Sequence, residues 1–216
     1  MSRHKLDPAD RYAVIDFETT GLSPNCGDRA IEIAVVIMEN GRAVDAYQSL
    51  INPGMQLPAF ITSFTGITDA MLASAPPAET VLPQALEFVG RAQLVAHNAS
   101  FDRRFWSAEI ARVGRRSEHA FLCTMLLARR LYPWAPNHKL GTLAQLHRII
   151  ASGRHHRALA DAEMTAALLS CIQRDLRGLY RGESISAAFL GQYQRIKRAI
   201  ARSVPQPLLG EVLGEV

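Results

Sequence analysis

Asn40-Gly41 fixes the first piece of architecture in this chain. The pair lies between an apolar run at residues 30–38 and an alternating run at residues 43–51. Asn and Gly are the residues that best tolerate the positive φ angles of a tight two-residue turn between antiparallel strands. Before them, Tyr12-Ala13-Val14-Ile15 is a short apolar stretch that reads as a buried strand. Three strands in an antiparallel meander follow from this. The middle of the chain has a different rhythm. Residues 79–91 place Val81, Leu82, Ala85, Leu86 and Val89 on one side of a helix. Residues 93–96 form a short apolar strand, a helix reaches to about residue 113, and residues 119–123 read as another strand. A strand–helix–strand order adds parallel pairing to the sheet.

The remaining spacing predicts short helices at 58–64 and 69–73, the second capped by Thr68, and further helices at 124–131, 140–150, 158–175 and 186–202. In the last of these, Phe189, Leu190, Tyr193, Ile196 and Ile200 share a face opposite Arg195, Arg198 and Arg202. At 216 residues the chain suits one domain with an appendage: a core at 1–178, and a helix and tail at 179–216 that pack on it or dock a partner. With 48% hydrophobic and 20% charged residues there is ample material for a core. No apolar run is long enough to span a membrane, and the polar start Met1-Ser2-Arg3-His4-Lys5 has no secretion signal, so a cytoplasmic location is expected. Three scattered cysteines, Cys26, Cys123 and Cys171, form no zinc spacing or disulfide framework. Of 24 basic residues only Lys5, Lys139 and Lys197 are lysine. Arginine forks match phosphate oxygens, so a polyanionic partner fits a net charge of +4.

Chemistry is suggested by Asp16-Phe17-Glu18 at the end of the first strand. Residues i and i+2 of a strand share a face, so the two carboxylates project together. Alone they read either as strand-end acids entering solvent or as hard oxygen ligands for magnesium or manganese. Asp102 and Asp161 each fall early in a helix, where an acid also complements the helix dipole. His156 precedes the second of these helices.

Three segments taken together resemble the motifs of the DEDDh 3′→5′ exonuclease family: Asp16-Phe17-Glu18-Thr19-Thr20-Gly21-Leu22, His97-Asn98-Ala99-Ser100-Phe101-Asp102 and His156-Arg157-Ala158-Leu159-Ala160-Asp161. The family includes the proofreading epsilon subunit of bacterial DNA polymerase III, which the first motif resembles in detail, as well as ribonuclease T and oligoribonuclease. The resemblance covers roughly residues 11–175. It implies a ribonuclease H-like α/β fold with a mixed five-stranded sheet flanked by helices. It implies two Mg2+ or Mn2+ ions held by Asp16, Glu18, Asp102 and Asp161, with His156 as general base. It further implies substrate contacts from Thr19, Thr20, Gly21, Leu22, Phe64, Thr65, His97, Asn98 and Phe101, with Leu22 as an apolar wedge against the terminal base. Arg103, Arg104, Arg115, Arg116, Arg154 and Arg157 are candidates for phosphate contacts. The implied activity releases nucleoside 5′-monophosphates from single-stranded or frayed DNA 3′ ends, in proofreading or repair. An RNA-trimming exoribonuclease is the alternative, and a non-catalytic polymerase-docking module a third. A DNA polymerase or a second copy are the expected partners of residues 179–216.

Overall fold

The computed structural model describes residues 11–150 and 157–204. Strands β1 (Arg11–Thr19), β2 (Ala30–Glu39) and β3 (Arg42–Leu50) form the antiparallel meander. Asn40 and Gly41 turn the hairpin with φ of 53° and 74°. Strand β4 (Gln93–Ala96) pairs parallel with β1, and β5 (Phe121–Cys123) pairs parallel with β4. The sheet order is β3-β2-β1-β4-β5, a mixed sheet of five strands.

Alternation along β1 and β2 divides the core in two. Tyr12 and Val14, with Ala34, Val36 and Met38, lie on the face covered by helices α5 (Thr124–Leu131) and α7 (Ala158–Leu179). Ala13, Ile15 and Phe17, with Ile33, Val35 and Ile37, lie on the face covered by α3 (Ala78–Val89) and α4 (Ser100–Arg112). A smaller cluster packs Leu57, Ile61, Ile67 and Leu72 of the α1 (Ala59–Thr65) and α2 (Asp69–Ala73) region against Ile31. Gly66 ends α1 in the left-handed conformation, and Thr68 caps α2 by accepting from the Met71 N–H. Buried Glu109 ties α4 to the start of β2 by accepting from Arg29, Arg112 and the Ala30 N–H.

Helix α6 (Leu140–Leu146) is shorter than its spacing predicts: His147 is its C-cap and Arg148 takes a left-handed φ of 54°. The predicted helix 186–202 is also shortened, to α8 (Ala187–Tyr193), with a separate 3₁₀ turn at Arg198–Ile200. The cause is the exposed edge of β5. The Gln194 side chain accepts from the Cys123 N–H at 2.8 Å and donates to the Phe121 carbonyl, while the Ile196 carbonyl accepts from Arg130. These bonds draw the chain out of the helix and along the sheet. Ile185, Leu190 and Tyr193 are buried in the same core as α5 and α7. Among the described residues, no helix is long and apolar enough to cross a membrane.

Candidate active site

The parity of β1 decides where its acids go. Asp16 and Glu18 continue the Tyr12–Val14 set, so they emerge on the face that α7 covers. Asp161 stands in the first turn of α7. One carboxylate oxygen from each of Asp16, Glu18 and Asp161 lies within 4.8 Å of the others. Asp102 comes from the other side, in the first turn of α4, directly after β4 and a left-handed Asn98 (φ 60°). Asp102 is buried, and among the described residues its Oδ1 accepts no hydrogen bond. All four acids line one cleft of about 380 Å³.

Crowding acids in a buried place raises their proton affinity. Burial, followed by Asp161 and Glu32, pushes Glu18 up to about 8, and Arg157 pulls it partly back. Burial, followed by the charges of Asp102, Glu18 and Asp161, lifts Asp16 well above the usual carboxylate range. Burial lifts Asp102 to about 7 against the opposing pull of backbone hydrogen bonds. A cluster of hard oxygens that repel one another, one of them buried without a donor, fits a divalent cation.

The other motif residues divide by what their polar atoms already do. Thr19, Gly21, Leu22, Phe64, Asn98 and Phe101 line the cleft. Thr20 does not line it: its hydroxyl accepts from the Arg29 N–H and faces Asp28, which holds the loop after β1. The Thr19 hydroxyl already donates to the Gly21 carbonyl at 2.6 Å. His97 and Thr65 also line the cleft, but their polar atoms are engaged within the protein. The His97 ring nitrogens contact the Thr124 hydroxyl and the His138 carbonyl, each at 2.9 Å, and burial lowers its pKa to about 4. The Thr65 hydroxyl donates to the Ile61 carbonyl and accepts from the Ile67 N–H. His156 and Arg154 lie outside the described residues.

Two contributors escape the motif reading. Phe60, one helical turn before Phe64, also lines the cleft. Leu22, Phe60 and Phe64 are 77%, 65% and 55% exposed, an apolar rim around the acids. Glu32 stands directly opposite Glu18 across the β1–β2 pair and is fully buried. It accepts from Arg157 (2.7 and 3.1 Å), from the Ala158 N–H (3.1 Å) and from Gln48 (2.8 Å). Glu32 therefore fastens the N-terminus of α7, and with it Asp161, to the sheet. A glutamate in the middle of an apolar strand run was the available signal for it. Arg157, read from sequence as a phosphate contact, is engaged in this pair.

Residues 13–169 match the family model described as Exonuclease, a span that contains all four acids. The PolC-type DNA polymerase III of Listeria innocua is 41% identical over 191 residues, 87% of this chain; the chain spans only 13% of that polymerase. A structure of Exonuclease X in complex with 5′ overhanging duplex DNA aligns with 33% identity and a TM-score of 0.63, over 76% of this chain and 91% of that one. The nuclease domain of 3′hExo, a DEDDh family member bound to rAMP, shares the fold with a TM-score of 0.68 at 21% identity, over 77% of this chain and 93% of that one. The ribonuclease H-like sheet, the gathered acids and these likenesses agree: the chain belongs to the exonuclease family.

Proposed function

We propose that this domain removes nucleotides from single-stranded or frayed DNA 3′ ends as 5′-monophosphates, using two divalent metal ions. The observation that carries the reading is the convergence of Asp16, Glu18 and Asp161 within 4.8 Å beside the donorless Oδ1 of Asp102. Asp16, Glu18 and Asp161 would hold one Mg2+ or Mn2+, with Asp16 and Asp102 serving the second. Bound there, such ions supply Lewis-acid charge stabilisation at phosphorus and at the departing 3′ oxygen.

The chain's own residues do the rest. Leu22, Phe60 and Phe64 offer apolar surface to the terminal base, and Asn98 offers a polar group beside it. A water attacks the last phosphodiester, the bond to the upstream 3′ oxygen breaks, and an imidazole nitrogen of His156 takes the water's proton. Arg157, the next residue, is gripped by Glu32, which anchors the chain immediately after that imidazole.

DNA is favoured over RNA because a relative at 41% identity is a DNA polymerase and a solved structure at 33% identity is an exonuclease in complex with duplex DNA. A cytoplasmic location accords with three free cysteines. Service beside a polymerase, as a separate subunit or as part of a longer chain, belongs to the same reading. The test is incubation of 3′-labelled DNA and RNA oligonucleotides of equal length with Mg2+. Mononucleotide release, faster from DNA and abolished by EDTA and by Asp16→Ala, is expected. Absence of release, or full activity in Asp16→Ala, would sink the proposal.

A further inference from the structure

A second groove, of about 610 Å³, adjoins the carboxylate cleft, and Asn98 lines both. The two differ in chemistry. The first gathers four acids; the second has none, and carries Arg103, Arg129 and Arg195 around partly exposed Phe121 and Met125. All three arginines are exposed, and among the described residues their guanidinium groups have no hydrogen-bond or ion-pair partner.

The scaffold holds these cations open. Arg130, the neighbour of Arg129, is used internally, donating to the Ile196 and Leu126 carbonyls. Arg195 directly follows Gln194, whose side chain is fixed to the edge of β5. The segment after α7 thereby completes the groove wall. Unpartnered guanidinium groups beside apolar and aromatic surface fit a single nucleic-acid strand, which brings phosphates for the charges and flat bases for the apolar floor. The carboxylate cleft by itself repels a phosphodiester chain, so attraction has to come from beside it.

We propose that this groove binds the phosphate backbone of a single strand upstream of its 3′-terminal nucleotide, with Arg129 and Arg195 as phosphate contacts. The proposal rests on the exonuclease reading of the adjacent cleft, but its test does not depend on hydrolysis. Each phosphate contact on a single strand contributes about 0.7 to the slope of log affinity against log salt. Fluorescence anisotropy of labelled dT12, with Ca2+ in place of Mg2+, reads that slope for the unsubstituted chain and for the double variant R129Q/R195Q. The slope is expected to fall by about 1.4, so that the loss of affinity from 50 to 200 mM salt shrinks about sevenfold. The pair R42Q/R91Q removes the same charge elsewhere on the surface and should keep the original slope.

Equal slopes in R129Q/R195Q and the unsubstituted chain would overturn the groove even in an active enzyme. Equal loss in the two double variants would do the same, by reducing the effect to net charge. Failure of dT12 to bind, or its displacement by oligoglutamate of matched charge at equal concentration, would also overturn it. A slope change confined to R129Q/R195Q supports the groove whether or not mononucleotides are released.

Discussion

Without a metal ion, the candidate site should make the fold less stable as pH rises. Glu18 binds its proton more tightly in the folded chain, with its pKa pushed from 4.5 to about 8. Below pH 4.5 both folded and unfolded chains hold that proton, and the site carries no net cost. Between pH 4.5 and 8 the unfolded chain releases it while the folded chain keeps it, so stability falls by about 1.4 kcal/mol per pH unit. Above pH 8 the loss is complete, at about 5 kcal/mol. Asp102, raised from 3.8 to about 7, acts in the same direction. Only the mutual repulsion among the acids is shared, since each is raised first by its own burial, so about 5 kcal/mol is the scale of the Glu18 contribution. For a chain of this size that corresponds to a fall in Tm of about 10–20 °C. Scanning calorimetry in EDTA from pH 5 to 9 would measure it, and the same scans in Mg2+ should be much flatter. Glu18→Gln removes one of these charges at nearly constant shape and should make the EDTA profile shallower. A Tm that stays level or rises between pH 5 and 8 in EDTA, or a profile indifferent to Glu18→Gln, would refute the reasoning.

Glu109→Ala leaves the buried Ala30 N–H without its acceptor and takes the carboxylate from the partly exposed Arg29 and Arg112, so it should cost about 1–3 kcal/mol, read as a lower urea midpoint. Gly21→Ala would place a Cβ 2.4 Å from the Asp28 carboxylate, which is held by the Ser23 N–H. The loop carrying Thr19 and Leu22 must then shift, and kcat/KM should drop at least about tenfold with only a small change in Tm. Phe60→Ala removes an exposed ring, so stability should stay within about 0.5 kcal/mol, while KM for an oligonucleotide rises severalfold.

Most of the sheet is legible in the sequence because its signals are local. An Asn-Gly turn, two apolar runs and a strand–helix–strand order suffice for three antiparallel and two parallel strands. The helices at 69–73 and 124–131 match their predicted limits because a cap or a proline-rich stop stands at an end. Helix α8 was overrun because its termination is a tertiary event: Gln194 bonds to β5, some seventy positions earlier in the chain. The acids were legible through motif spacing and strand parity. Glu32, Phe60 and the internal ties of His97 and Thr65 were not, since each depends on a partner far away in sequence or on which face of a short helix meets the cleft.

Parity also explains why this chemistry tolerates so little freedom in the sheet. Asp16 and Glu18 reach Asp161 only because even-numbered residues of β1 face α7. A slip of β1 by one residue against β2 would turn both acids toward α3 and α4. The register holds without interruption from Arg11 opposite Glu39 to Glu18 opposite Glu32, and breaks only between Glu18 and Thr19. That irregularity falls where the ladder should end: the acids stay in register while the following residues turn across the cleft mouth. Glu32 closes the logic from the other strand, because the same register that aims Glu18 at α7 aims Glu32 at the Arg157 and Ala158 start of that helix. Two neighbouring carboxylates on one face thus have opposite fates. Glu32 is neutralised within the protein and fixes the helix; Glu18, without such a partner among the described residues beyond the distant pull of Arg157, is the one available to a cation.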